Sequence, residues 1–290
     1  MSTSLIFTIA LPIVLGMIMF GIGLSLTVDD FIQIKREPVS LAKSVAIHLL
    51  TAPLFALLVI KIFDLPYELG MGLMLLAGSP SGPVANIFTH LSKGDVALTI
   101  ALVTINTALC ALYLPVIIYG TGLLYLRSGV NVPIPFAKVT MMIILMMIPM
   151  LGGMLVKKKS DLFARMADPW IRRISGAFLV IVATAGFINE IGSLYKSGVT
   201  LLFAIVVYNA GIIALSAQAA RRSGLSRRQS IASIFDVCVP NCVLPMAIAV
   251  SPELLNNITM AIPAIFYSIY MFFPATLLSR RFLRSSTLAP

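Results

Sequence analysis

"SIFDVCVPNCVLPMAIAV" (residues 233–250) is apolar enough to lie in a lipid bilayer, yet it holds an acid, Asp236, an amide, Asn241, and two prolines, Pro240 and Pro245. Proline lacks a backbone donor and its ring clashes with the preceding turn, so it kinks or breaks a helix. Unpaired backbone at bilayer depth is tolerated only where protein or water satisfies it. A carboxylate there costs on the order of 3 kcal/mol on insertion scales, which makes it functional by default. The stretch therefore reads as a broken membrane helix lining an internal cavity.

The rest of the chain agrees. Its 290 residues are 59% hydrophobic and 11% charged, with a mean hydropathy of +1.01. Apolar runs of about 20 residues, enough to cross a hydrocarbon core of roughly 30 Å, recur along the whole length. This predicts an all-α polytopic membrane protein. The opening "MSTSLIFTIALPIVLG" (1–16) has no Lys or Arg ahead of its apolar run, which argues for a retained first span and against a cleaved signal peptide. Cys110, Cys238 and Cys242 all lie in apolar segments, where thiols pack as small hydrophobes. No disulfide framework or soft-metal site is implied.

Proline and glycine breaks with polar connectors divide the chain into nine spans, at 4–27, 40–62, 69–92, 95–119, 134–156, 173–195, 198–220, 229–250 and 254–279. Of the 21 Lys and Arg, all but Lys61, Arg127, Lys138 and Lys196 fall at alternate ends. They include Lys35, Arg36, Lys43, Lys93, the run "KKKSDLFARMADPWIRR" (157–173), "RRSGLSRR" (221–228), Arg280, Arg281 and Arg284. The positive-inside rule then predicts a multi-pass protein of the cell membrane, N-terminus outside and C-terminus cytoplasmic. The formal charge of +10 records topology, so no nucleic acid partner is expected.

The third span, "ELGMGLMLLAGSPSGPVANIFTHLSKGD" (68–95), is also interrupted, by Pro80, Pro83, Gly78, Gly82, Ser79 and Ser81. Spans 3 and 8 run in opposite directions on this topology. Spans 2–4 and 7–9 thus form candidate inverted repeats, each with a discontinuous middle helix. Such paired interruptions point to the binding site of a secondary transporter.

These stretches resemble the bile acid:sodium symporter family. "GSPSGPVANIFTHLSKGDVALTIALVT" (78–104) is similar to its first crossover, and "FDVCVPNCVLPMAIAVSPE" (235–253) stands where the second carries an acid. "FGIGLSLTVDDFIQIKREP" (20–38) and "VPIPFAKVTMMIILMMIPMLGGMLVKKKS" (132–160) are also family-like. The resemblance implies one transporter domain over 1–290 with two crossed discontinuous helices. Its core domain comes from 40–119 and 198–279, and its panel domain from 4–27 and 134–195.

The resemblance also implies cation ligands. Asp236 takes the place of the family's acid, Asn86 and Thr99 are retained, and Thr104 lies nearby. Sodium is expected at Asp236, Asn86 and Thr99. Elsewhere the family's polar residues are replaced, by Ala85, Val103 and Pro240, and His48 stands where a Gln is common. One weakened sodium site is therefore expected, not two intact ones. Asn241 matches the family's substrate-side Asn, and with Ser81, Pro83 and Pro240 it completes the candidate substrate contacts. The prolines in both breaks resemble the crossovers of plant auxin-efflux carriers, which share this architecture without sodium dependence.

Burial favours a neutral Asp236 and a bound cation favours a charged one, so it suits either a sodium ligand or a proton carrier. His48 near it makes proton coupling more plausible, because imidazole titrates near neutrality. The second halves of the broken helices point free N–H groups into the cavity, which favours an anion. The expected function is secondary transport of an organic anion, bile-acid-like or a small carboxylate, by alternating access and coupled to sodium. Proton-coupled or uncoupled carriage is the first alternative, and a non-transporting sensor or partner subunit the second. No HExxH, Ser-His or Ser-Lys constellation or paired intramembrane aspartates suggest an enzyme. No cofactor is expected beyond sodium.

Overall fold

The computed structural model describes residues 13–14, 16–21, 23–24, 37–127, 136–251 and 254–287. Most of the expected first span, the connector bearing Lys35 and Arg36, and residues 128–135 lie outside them.

Among the described residues the chain is helical: α1 (Pro38–Ile62), α2 (Tyr67–Ala77), α3 (Pro83–Leu91), α4 (Val96–Arg127), α5 (Phe136–Lys159), α6 (Asp161–Arg222), α7 (Arg227–Cys238), α8 (Val243–Val250), a 3-10 turn (Thr259–Ala261), α9 (Ile262–Tyr270) and α10 (Phe272–Thr287). Local chemistry sets the ends. Pro38 and Pro83 stand in the first turns of α1 and α3, where the missing donor costs nothing. Asp95 accepts from Leu98 N at 3.0 Å to start α4. Ser226 and Gln229 form a reciprocal capping box on α7.

Both expected interruptions are present. The third span is split into α2 and α3 across residues 78–82, and the eighth into α7 and α8 across residues 239–242. The expected boundary between spans 6 and 7 differs. Residues 161–222 form one helix of 62 residues, roughly 90 Å long and far more than a single crossing needs. No proline falls between 170 and 222, and a lone glycine such as Gly198 weakens a helical ladder without breaking it.

Among the described residues, four helical stretches are long and apolar enough to cross a membrane: Pro38–Ile62, Val96–Tyr125, Gly198–Arg222 and Thr259–Arg284. Their packing inverts the soluble pattern. On α1 the polar Ser44 and His48 are buried, whereas Leu50, Leu54 and Leu58 are 48–61% exposed. Leucines facing outward at every fourth position suit hydrocarbon and not water.

Helix α1 packs on α2, α4, α6 and α7, and α7 also packs on α3, α4 and α6. Helix α2 packs on α4, α8, α9 and the 3-10 turn. The basic segments at Lys43, 93–95, 221–228 and 280–284 share one end of this bundle. Lys43 Nζ donates to Ser223 O at 2.6 Å, Arg227 to Phe282 O at 2.8 Å, and Asp95 N to Arg228 O at 3.0 Å.

Candidate functional site

Each break leaves backbone groups that its own helix cannot pair. They pair with each other. Asn241 N donates to Pro80 O at 2.8 Å and Gly82 N to Val239 O at 3.3 Å, with an antiparallel bridge between Ser81 and Pro240. The two broken helices therefore meet at their interruptions, which satisfies buried backbone that a bilayer could not.

Asp236 lies one turn before its break and is fully buried. His48 Nδ1 from α1 is 2.9 Å from its Oδ2, Asn106 Nδ2 from α4 donates to the same oxygen at 2.9 Å, and Ser81 Oγ donates to Oδ1. Three elements thus supply donors to one carboxylate, which compensates part of its desolvation. His48 Nε2 and Asn106 Oδ1 are buried and have no hydrogen-bond partner among the described residues.

The other expected residues divide. Pro240 is buried at the bridge, Pro83 is exposed at the start of α3, and Asn241 is half-buried. The Asn241 side-chain oxygen accepts from Val243 N at 3.0 Å and so caps α8. Asn86 stands on α3 with a buried, unpartnered Oδ1. Thr99 is buried, but its hydroxyl bonds Thr89 Oγ1 at 3.1 Å and Asp95 O at 3.0 Å, not Asp236. Thr104 is buried on α4.

Sequence reasoning missed Asn106, Thr89, Tyr113, Asn209 and Tyr267. Asn106 had a signal, an amide at mid-span in "TINTAL" (104–109). Tyr113 donates to Gly78 O at the end of α2, and Tyr267 donates to Cys238 O at 2.9 Å at the end of α7. Asn209 Nδ2 donates in turn to Tyr267 Oη at 2.5 Å.

Among the described residues no three His, Cys, Asp or Glu side chains gather as a transition-metal site. What gathers is oxygen: the Asp236 carboxylate, Ser81 Oγ and the unpartnered Oδ1 of Asn106. Hard cations take such ligands, not imidazole or thiolate.

The sodium bile acid symporter family model matches residues 12–197. The chain is 30% identical over 205 residues to a Bacillus subtilis protein named uncharacterized sodium-dependent transporter YocS, covering 70% of this chain and 61% of that one. It is 27% identical to the human sodium-dependent organic anion transporter, over 68% of this chain and 52% of that one. It is 24% identical to a rice protein named probable sodium/metabolite cotransporter BASS1, chloroplastic, over 87% of this chain and 61% of that one. Those alignments span about half to three fifths of the relatives' own lengths. The family and these relatives are named as transporters, not enzymes.

Proposed function

This chain belongs to the sodium bile acid symporter family, and from that premise we propose that it is a secondary transporter of an organic anion, coupled to sodium. The observation that carries this reading is the fully buried Asp236 beside two helix interruptions that hydrogen-bond to each other. Discontinuous helices of this kind form transporter sites at the bilayer midplane, where half-helix ends serve ions and anions.

In this reading the chain crosses the membrane several times, with the N-terminus outside; the expected sixth and seventh spans lie in the one continuous helix α6. The basic segments at Lys43, 93–95, 221–228 and 280–284, gathered at one end of the bundle, support that end as cytoplasmic. Spans 2–4 and 7–9 are inverted repeats forming a core that moves against a panel of spans 1, 5 and 6. Matched contacts support the repeats: α1 on α2 answers α6 on α7, α3 on α4 answers α8 on α9, and α4 on α7 answers α9 on α2. Sodium binds at Asp236 with Asn106 of α4 as a ligand and Asn86, whose buried Oδ1 is unpartnered, as a further one. Of the expected α4 hydroxyls, Thr104 lies on the opposite face from Asn106 and Thr99 stands two turns away with its hydroxyl already bonded. The anion meets the starts of α3 and α8, where Pro83 is exposed and Asn241 half-buried, beside Ser81 and Pro240. A free N-terminal turn favours negative charge there.

A second reading is favoured by the 2.9 Å contact of His48 Nδ1 with Asp236. An imidazole on the carboxylate can hold a proton where other carriers hold sodium, which would make the coupling ion a proton.

Uptake into proteoliposomes tests both, with a labelled conjugated bile acid and labelled small carboxylates as probes. The sodium reading expects accumulation under an inward sodium gradient and its loss in Asp236→Asn. Accumulation that follows a pH gradient without sodium selects the proton reading. A folded protein that moves none of the probes in either gradient favours a sensor or partner subunit.

A further inference from the structure

A helix that stops inside a bilayer leaves its last carbonyls without intrahelical partners. In both broken helices one such carbonyl is taken by a tyrosine hydroxyl from another span. Tyr113 of α4 donates to Gly78 O, and Tyr267 of α9 donates to Cys238 O at 2.9 Å. The register is the same in the two breaks: each capped residue stands two positions before a proline, Pro80 or Pro240. The capped residues also bracket the carboxylate contact. Gly78 is three residues before Ser81, which donates to Asp236, and Cys238 is two residues after Asp236 itself.

Further donors strengthen the arrangement. Asn209 Nδ2 of α6 donates to Tyr267 Oη at 2.5 Å, and Cys110 Sγ, one turn before Tyr113, lies 3.7 Å from Gly78 O. Tyr267 is fully buried against Tyr208, with ring centroids 6.1 Å apart in an edge arrangement. The hydroxyls are therefore held by packing, and they hold the break carbonyls in turn.

We propose that Tyr113 and Tyr267 are a matched pair of positioning residues that fix the two helix interruptions so that Ser81 and Asp236 present their oxygens to the cation. This deepens the transport reading and rests on it. A carbonyl has two lone pairs, so the Tyr267 hydroxyl leaves the second one on Cys238 O for an ion, whereas Tyr113 and Cys110 together fix Gly78 O. The tyrosines orient the carbonyls, and the one on Cys238 stays open on its second side.

The test is a sodium titration of thermal stability, against potassium, in detergent-purified full-length protein. Tyr113→Phe and Tyr267→Phe each keep the ring and remove one hydroxyl, and Asn209→Ala removes the donor that orients Tyr267 without touching the ring. Tyr125→Phe is the control. Its hydroxyl donates to Leu65 O at 2.9 Å, a like bond at the α1–α2 connector, at the opposite end of α2 from its break. The expected result is a rise in half-saturating sodium of roughly five- to tenfold in Tyr113→Phe and Tyr267→Phe, a smaller rise in Asn209→Ala, and no change in Tyr125→Phe. Unchanged or lower half-saturating sodium in both phenylalanine variants would overturn the proposal, since a purely structural bond moves the melting temperature alone. A wild type that ignores sodium would sink the sodium reading together with this one, and would do so before any variant is compared.

Discussion

Gly82 and Asn241 face each other across the two interruptions. A Cβ on Gly82 would stand 3.8 Å from Asn241 Cβ, which is the usual Cβ separation across a disulfide. Gly82 has φ −99°, open to any residue. A Gly82→Cys/Asn241→Cys pair, in a background with Cys110, Cys238 and Cys242 replaced, is therefore expected to oxidise readily. Intact mass and peptide mapping check it. Failure of this pair to cross-link in folded protein would separate the two breaks.

The three donors to Asp236 make separate demands. His48→Ala or Asn106→Leu leaves a buried carboxylate short of one partner and is expected to cost about 1–3 kcal/mol. His48→Gln, which keeps a donor, is expected to recover most of that loss. Because both residues serve one oxygen, the double variant should lose less than the two single losses combined. Denaturant or thermal melts in detergent measure each.

Close backbone approach explains one glycine in α2. A Cβ on Gly72 would lie 2.2 Å from Met260 O of the 3-10 turn, and a backbone carbonyl cannot rotate away as a side chain does. Gly72→Ala is expected to destabilise by about 1–3 kcal/mol through overpacking. Gly120 in α4 has nothing within 4 Å of its Cβ position. There Ala should be neutral or stabilising by up to about 1 kcal/mol, from helix propensity. Paired melting curves distinguish the two sites.

The helix interruptions were legible because proline chemistry is local. Pro80 and Pro240 each remove a ladder donor beside further helix-weakening residues, Gly78, Gly82 and Asn241, and the breaks fall at residues 78–82 and 239–242. Proline alone is not enough, since Pro53, Pro115, Pro149 and Pro169 lie within continuous helices. The depth of Asp236 was legible for a similar reason, since a lone acid in an apolar run cannot face lipid. The face that α4 turns to it was harder to read. Thr99 and Asn106 are seven residues apart and lie almost on one line along the helix, whereas Thr104 and Asn106 differ by about 200°. Knowing which of these faces inward requires the rotation of the helix, which packing sets. The tyrosine contacts were illegible for another reason: Tyr113 and Gly78 are 35 residues apart, and Tyr267 and Cys238 are 29 apart. Only the folded helices bring those pairs together. The unbroken stretch from 161 to 222 went unforeseen because a polar patch around Lys196 reads as a connector, although no proline stands near it; the helix's one proline, Pro169, lies near its start and does not end it.

The central claim is that the carboxylate at the crossing of the two broken helices holds the coupling cation. The most direct check is thermal stability of purified wild type and Asp236→Asn in sodium against equimolar potassium at fixed pH. The account predicts a sodium-specific rise in melting temperature for the wild type and none for Asp236→Asn. Equal sodium shifts in both proteins, or no distinction between sodium and potassium in the wild type, would contradict it.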